Sequence, residues 1–247
     1  MFARMMTAAA AFALALPVAA MDLKALTDEE RALFRAEVRA YLRDNPEVIR
    51  EAIEILQARE QQEQERADFD LVRLNAQAIF DDGYSWVGGN PDGDITVVEF
   101  LDYRCGYCKR AHDEVATLLE SDGNIRLIVK EFPILGDQSV LASRFAIATK
   151  QIAGADSYKA MNDALMAMRG DVSIDALRRL ATTFGLDADA IEAQMNSDAV
   201  TQEIADTRAL AQRLRITGTP TFVMQDELLR GFLPADQMKA LVDQKRG

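Results

Sequence analysis

The chain has 247 residues, of which 49% are hydrophobic and 28% are charged, values typical of globular proteins that exclude a disordered or collagen-like chain. Acidic residues outnumber basic ones by 40 to 28, so the formal net charge is −12, which argues against nucleic acid as a partner because such binding depends on Lys and Arg meeting phosphate. Two cysteines and one histidine exclude an all-cysteine zinc site and a framework of several disulfides.

Residues 1–20, MFARMMTAAAAFALALPVAA, have the pattern of a secretory signal peptide. Arg4 supplies a positive start, 7–16 is an apolar run, and 18–20 is a small-residue cleavage site. The alternative, a membrane-spanning helix, needs about 20 apolar residues, more than this run has. We therefore predict export to the periplasm with cleavage after Ala20, which leaves 27 basic and 40 acidic residues and a net charge of −13.

Residues 21–82 are predicted to form a helical N-terminal extension. Thr27, followed by three acidic residues, is a helix start signal, and Asn45-Pro46 ends that helix and starts the next. Residues 57–68 are almost entirely polar, so a continuous helix over 46–80 would have a middle that no core can cover. This extension is either a solvated helix or linker, or an oligomerisation stalk that makes the protein a homo-oligomer through 22–80.

Residues 84–247 are predicted to form an α/β domain, which begins after a turn-rich boundary at 81–94. The β-branched run 95–101 has the pattern of a buried strand. Further strands are predicted at 125–130, 221–224 and 228–232, and helices at 105–119, across about 138–214, and at 234–245. This order predicts a sheet with a helical insertion.

Both cysteines lie directly after the first predicted strand, as Cys105-x-x-Cys108. A cysteine at the start of a helix has its thiolate stabilised by the helix dipole and by free backbone N–H groups. Cys105 is therefore the expected nucleophile, and Cys108, one turn further, the buried cysteine that resolves the mixed disulfide. The basic residues Arg104, Lys109 and Arg110 add positive charge to this segment.

Three other interpretations of the cysteine pair exist. A structural disulfide would close a loop too short to stabilise the fold much. A zinc site would need a fourth ligand beside Cys105, Cys108 and His112, and the chain has no further cysteine or histidine. The two thiolates could also bind copper(I). We expect no metal and no cofactor beyond the redox-active cysteine pair.

Two other sets of residues stand out near the cysteines. Glu99 lies inside an apolar strand, where a carboxylate is costly unless it has a function or a partner. It is a candidate for proton transfer near Cys108, with Glu131 a weaker candidate of the same kind. The alternative places Glu99 towards solvent or beside a lysine. Thr219-Pro220, between a Gly-containing turn and a strand, is typical of an edge or of a cis peptide bond.

The segments GNPDGDITVVEFLDYRCGYCK (89–109) and KEFPILG (130–136) resemble the DsbA-like thiol–disulfide oxidoreductases of the thioredoxin superfamily. The resemblance covers about 84–245 and implies a thioredoxin fold with a helical insertion at about 138–195. It implies that Pro220 is cis and faces Cys105, that the Thr219 backbone pairs with substrate, and that Glu99 is the buried acid near the disulfide.

The sequence departs from the strongly oxidising members of that family at two places. Gly106 and Tyr107, which we expect to contribute to substrate binding, replace Pro-His between the cysteines. Thr219 replaces a valine before the cis proline and resembles the isomerase-type members. The extension at 22–82 is similar to the oligomerising helices of suppressor-of-copper-sensitivity and DsbG-like proteins.

These patterns favour a periplasmic thiol–disulfide oxidoreductase that acts on exported proteins with cysteines. A membrane redox partner is expected to reduce or reoxidise the cysteine pair. Isomerisation or reduction is favoured over oxidation because of Thr219 and the extension. The alternative function is a copper(I)-binding or chaperone-type periplasmic protein that uses the same cysteines without catalytic exchange.

Overall fold

A computed structural model describes residues 25–247, and the predicted signal peptide lies outside these residues. The helices are α1 Asp28–Asp44, α2 Glu47–Leu74, α3 Ala76–Phe80, α4 Gly106–Ser121, α5 Asp137–Ala153, α6 Ala155–Ala167, α7 Ile174–Thr183, α8 Ala188–Met195, α9 Asp198–Arg213 and α10 Ala235–Arg246. The strands are β1 Trp86–Gly89, β2 Ile95–Leu101, β3 Ile125–Glu131, β4 Thr221–Met224 and β5 Glu227–Arg230.

The strands form one sheet in the order β1-β3-β2-β4-β5. β2 and β3 are parallel, with α4 as their crossover, and the other neighbours are antiparallel. Five helices, α5 to α9, separate β3 from β4 along the chain. The predicted fold class, an α/β sheet with a helical insertion preceded by N-terminal helices, is confirmed.

Strands β2 and β3 are buried on both faces, because each face of the sheet packs on its own apolar cluster. Val97 and Leu101 of β2 belong to the cluster that contains both cysteines, whereas Val98 and Phe100 belong to the cluster on the opposite face. Successive side chains of a strand point to opposite faces. The alternation therefore puts Glu99 on the same face of the sheet as Cys108.

Strand β1 was not predicted, since residues 81–94 have the pattern of a turn-rich boundary. Trp86–Gly89 pairs antiparallel with β3, and Trp86 is buried. A β-carbon at Gly88 would collide with the Trp86 ring, and one at Gly89 would collide with the Ile125 carbonyl. The glycines allow this close pairing, while locally they have the pattern of a turn.

Residues 46–80, for which the sequence pattern left open a continuous helix or a linker, form two helices. α2 ends at Leu74, and Asn75 separates it from the short α3. The Asn75 side-chain amide donates to the Leu71 carbonyl, which satisfies a backbone group at the end of α2. The predicted helix start at Thr27 is present as a capping box with Glu30, and α1 ends at Asp44, just before Asn45-Pro46.

The chain divides into two compact units, one extending through Arg59 and one from Glu60 to Gly247. In the second unit the last part of α2 joins the domain, because Val72 is buried and Asp68 pairs with Arg230 of β5. The domain boundary at 82–84 suggested by the sequence pattern stays a prediction. Within residues 25–247, every helix is too short or too polar to cross a membrane.

Candidate active site

The two cysteines lie at the N-terminal end of α4, a few residues after the end of β2 in the chain. Cys105 is the N-cap residue: its N–H donates to the Asp102 carbonyl at 3.0 Å, and its carbonyl accepts from Lys109 N–H at 3.1 Å. Cys108 lies in the first turn. Both are free thiols in this structure, and 8% of Cys105 but none of Cys108 is exposed.

The segment that faces Cys105 is the turn before β4. The Thr219–Pro220 peptide bond is cis. The Cys105 thiol donates a hydrogen bond to the Thr219 carbonyl, with sulfur and oxygen 3.1 Å apart. Pro220 directly precedes β4, which lies inside the sheet between β2 and β5, so the peptide bond is cis but the strand is not an edge.

The two residues between the cysteines are on the surface. Gly106 is exposed, and 59% of Tyr107 is exposed. The Arg110 guanidinium lies over the Tyr107 ring at 5.6 Å and over the Phe232 ring at 4.5 Å. Arginine and aromatic faces attract each other, so Arg110 links the exposed Tyr107 to Phe232.

Glu99 is buried in β2 with 2% of its surface exposed, and no lysine nitrogen lies within 4.0 Å of its carboxyl oxygens in the part of the chain that the structure describes. Its Oε1 atom has no hydrogen-bond partner among the described residues. Burial raises the pKa of Glu99 to about 8, and repulsion from the Glu131 carboxylate adds to the rise. Burial also raises the pKa of the Cys108 thiol far above its usual range, and the Glu99 charge contributes. The two groups therefore lie close enough to influence each other's protonation.

Glu131, at the end of β3, is the centre of a buried hydrogen-bond network. Its carboxylate accepts from Tyr103 at 2.7 Å, from Tyr158 at 2.6 Å and from Ser143 at 2.7 Å, and Asn162 donates to the Tyr103 hydroxyl at 3.0 Å. Burial raises the pKa of Glu131 to about 7, against the effect of its three donors.

Glu131 and Glu99, both buried near each other, differ in how readily they lose a proton. Three O–H donors stabilise the anion of Glu131, whereas Glu99 lacks such donors on Oε1. Glu131 therefore loses its proton first, and its charge then holds the proton on Glu99. The network also joins the insertion helices α5 and α6 to the segment before Cys105.

Asp102 holds the loop before the cysteines in place. Its Oδ1 accepts from Arg104 N–H and from the Ser139 hydroxyl, both at 2.8 Å, and its Oδ2 accepts from the N–H groups of Ile134 and Leu135 at 2.8 and 3.0 Å. Asp102 is fully buried. A carboxylate with four donors is strongly anchored, so Asp102 joins the cysteine loop to the segment that follows β3.

Asp102, Tyr103 and Tyr158 were not predicted from the sequence as residues of the site. The position of Asp102, directly after a buried strand and three residues before Cys105, was an available signal for a loop anchor. Tyr158 had no local signal, since it lies in an insertion helix and reaches Glu131 only in the folded chain.

His112 pairs with a residue of the insertion. Its Nε2 lies 2.9 Å from Asp163 Oδ1, and its side chain is 22% exposed. No group of three or more potential ligand side chains (His, Cys, Asp or Glu) able to hold a metal ion occurs within residues 25–247.

Two family models match the chain. The model described as "DSBA-like thioredoxin domain" covers 96–244, and the model described as "Copper resistance protein ScsC N-terminal domain" covers 30–63. The first spans β2 to α10 and includes both cysteines and the cis proline. The second covers most of α1 and the beginning of α2.

Solved structures share this fold. A thioredoxin-like oxidoreductase from Silicibacter pomeroyi DSS-3 is 43% identical, with a TM-score of 0.65, and the match covers 69% of this chain and 96% of that one. BcfH from Salmonella enterica Typhimurium is 25% identical, with a TM-score of 0.73, over 89% of this chain and 97% of that one.

Curated relatives include Na⁺/H⁺ antiporter NhaA 3 of Salinispora tropica, 28% identical over 63% of this chain. The chain spans only 24% of the length of that relative. Because the domain model covers more than half of the chain and includes its cysteine motif, the chain belongs to the DSBA-like thioredoxin domain family.

Proposed function

We propose that the chain is a thiol–disulfide oxidoreductase that exchanges disulfides with exported proteins through Cys105 and Cys108. The observation that carries the proposal is the position of Cys105, at the N-terminus of α4 and in contact with the Thr219 carbonyl. A sulfur at this position has the helix N-terminus to stabilise its thiolate. The exposed Gly106 and Tyr107 leave room for a substrate chain.

The proposed exchange proceeds in two steps. The Cys105 thiolate attacks one sulfur of a substrate disulfide, forms a mixed disulfide, and releases the other sulfur as a thiolate. Cys108 then attacks the Cys105 sulfur, which frees the substrate as a dithiol and leaves a Cys105–Cys108 disulfide. Two electrons pass from the cysteine pair to the substrate, and the reverse sequence oxidises a substrate dithiol. No cofactor is required.

Glu99 is the proposed proton acceptor for Cys108. Cys108 is buried and must lose its proton before it attacks, because the thiolate is the nucleophile. With a pKa of about 8, Glu99 keeps its proton in most molecules at neutral pH, and the ionised fraction, which grows as the pH rises, is the form that accepts the proton of Cys108. Thr219 and Pro220 are proposed to hold the substrate backbone beside Cys105.

We propose isomerisation or reduction as the direction of exchange, in the periplasm, after removal of residues 1–20. The cysteine pair would then be kept reduced by a membrane redox partner. Thr219 supports this direction by its resemblance to isomerase-type members. The match of 30–63 to the ScsC N-terminal model supports an extension of the same type.

The extension is proposed to make the protein a homo-oligomer. Apolar side chains of α1 and of the beginning of α2 are exposed: Phe34 by 42%, Val38 by 40%, Tyr41 by 54% and Ile49 by 48%. Phe34, Val38 and Ile49 line one groove. A contiguous apolar surface of this kind is typical of an interface between protein chains. An isomerase benefits from several sites around a shared cleft, since it must hold a misfolded chain while its disulfides rearrange.

The experiment that tests the proposal compares the mature protein with its Cys105→Ser variant in insulin reduction and in refolding of scrambled ribonuclease. We expect the variant to lose both activities. Full activity of the variant would overturn the proposal. Copper(I) binding that depends on both cysteines, without exchange activity of the intact pair, would support the alternative of a binding protein.

A further inference from the structure

Four basic residues surround the start of α4, and we name them the basic patch: Arg104, Lys109, Arg110 and Arg169. Arg104 directly precedes Cys105, and Lys109 and Arg110 lie one turn beyond it in α4. Arg169 belongs to the connection after α6 and lines a groove of about 620 Å³ together with Lys109 and Arg110. Such a volume accommodates several side chains of a bound segment.

The charges of the basic patch are not neutralised by nearby acids. Lys109 donates to the Met168 carbonyl, and Arg104 donates to the Gly170 carbonyl, so both cations bind neutral oxygens of the α6–α7 connection. Arg110 lies over the Tyr107 and Phe232 rings. Across 25–247, no carboxylate oxygen lies within 4.0 Å of a charged nitrogen of these four residues.

The acids of the same groove do not reverse its charge. Asp163 is already paired with Lys159 at 2.6 Å and with His112 at 2.9 Å. Asp113 is the other carboxylate of the groove. The mutual repulsion of the cations is visible at Lys109, where burial and then the charges of Arg104 and Arg169 lower the pKa.

The basic patch contrasts with the rest of a chain whose formal net charge is −12. Charge of one sign around a reactive group attracts partners of the opposite charge and increases their rate of association. At long range, the acidic remainder of the molecule repels the same partners. The basic patch therefore places positive charge beside the first turns of the helix that begins after Cys105.

We infer that the basic patch selects redox partners whose reactive cysteine lies in an acidic segment of their chain. This inference rests on the proposed function, since it assigns a substrate class to the same cysteine pair. Carboxylates on both sides of the partner's cysteine would meet Arg104, Lys109, Arg110 and Arg169 as the mixed disulfide forms. A segment with basic flanks would meet like charge instead.

The test uses the reduced mature protein and two peptides that differ only in their flanks. Each peptide has one cysteine, disulfide-bonded to 2-nitro-5-thiobenzoate, with glutamates on both sides in one peptide and lysines in the other. Attack of Cys105 on the peptide sulfur forms the mixed disulfide and releases the coloured thiolate. Cys108 then attacks the Cys105 sulfur and releases the peptide thiol. The rate of colour release is measured for both peptides.

We expect the acidic peptide to react faster than the basic one by on the order of tenfold at low salt. The Arg110→Gln/Arg169→Gln variant should lose most of this preference. The control Arg179→Gln/Lys239→Gln, which removes the same charge from residues outside the patch, should retain it. Between about 0.01 M and 1 M salt the Debye length falls from about 30 Å to 3 Å, so the preference should fall with it.

The outcomes separate the inference from the proposed function. Equal rates for the two peptides, or a preference that survives in the Arg110→Gln/Arg169→Gln variant, would overturn the inference while exchange activity stands. If the wild type released the coloured thiolate from neither peptide faster than the Cys105→Ser variant does, the proposed function itself would be overturned. A faster reaction of the basic peptide would also overturn the inference.

Discussion

The Cys105 thiol and the Thr219 carbonyl are 3.1 Å apart, although the two residues are separated by 114 positions in the chain. This contact places the proposed nucleophile against the backbone of the segment that carries the cis proline. A substrate chain that pairs with the Thr219 backbone would therefore bring its own sulfur close to Cys105. Attack and substrate binding would then take place at one point of the surface.

The Cys108→Ser variant should accumulate the mixed disulfide between Cys105 and substrate. Its serine cannot attack the Cys105 sulfur, so the second step of exchange is blocked while the first remains. Mass spectrometry without reductant should detect a covalent complex of one chain and one substrate. The Cys105→Ser variant is the control and should form far less of it. An equal yield from both variants would contradict the assigned order of attack.

The Glu99→Gln variant should remove a pH dependence of stability. The pKa of Glu99 is raised to about 8 in the folded chain, from an ordinary 4.5. The folded state therefore holds this proton more tightly than the unfolded state, and stability falls as the pH rises from about 4.5 to 8. Between pH 5 and pH 8, the wild type should lose more free energy of unfolding than the variant, by more than about 1.4 kcal/mol, the equivalent of one pKa unit.

Urea unfolding at both pH values measures this difference. The exposed substitution Glu120→Gln is the matched control and should follow the wild type. In exchange assays at neutral pH, Glu99→Gln should slow the resolution of the mixed disulfide by about tenfold or more, because Cys108 loses its proton acceptor. If the stability of the wild type and of Glu99→Gln depended on pH in the same way, the pKa of Glu99 in the folded chain would not be raised.

The Asp102→Asn variant should destabilise the domain by about 2 kcal/mol or more. An amide nitrogen cannot accept hydrogen bonds, so two of the four donors that now reach the Asp102 carboxylate would stay buried without a partner. Urea unfolding measures the loss. Asp206→Asn, on the exposed surface of α9, should change stability by less than about 0.5 kcal/mol. If Asp102→Asn left the free energy of unfolding unchanged, the loop before the cysteines would have to be held by other contacts.

The Val38→Glu variant should weaken self-association of the mature protein. Val38 lies in the exposed groove of α1, and moving a carboxylate from water into the apolar part of an interface is costly even beside Arg35 and Arg39, which line the same groove. Light scattering over a range of concentrations should show a lower mass for the variant than for the wild type. Ala36→Glu, on the opposite side of α1, is the control and should keep the wild-type mass. A monomeric wild type would overturn the proposed oligomer.

The sequence by itself determined the features that depend on neighbouring residues. The β-branched run at 95–101, the cap at Thr27 and the stop at Asn45-Pro46 are local patterns, and they predicted β2 and α1. The spacing of Cys105 and Cys108 after a strand identified the cysteine pair. These features depend on the backbone geometry of a few neighbouring residues, so the order of residues in the sequence is enough to predict them.

Only the tertiary structure decided the features that depend on distant contacts. β1 exists because Trp86–Gly89 pairs with β3, although its glycines locally favour a turn. The donors to Glu131 come from the segment after β2 and from two insertion helices. Cys105 likewise contacts Thr219, which lies far from it in the chain. The burial that raises the pKa of Glu99 likewise arises when both faces of the sheet are covered. These contacts join residues that are far apart in the chain, and their energy depends on how the whole domain packs. A local pattern in a single sequence does not contain that information.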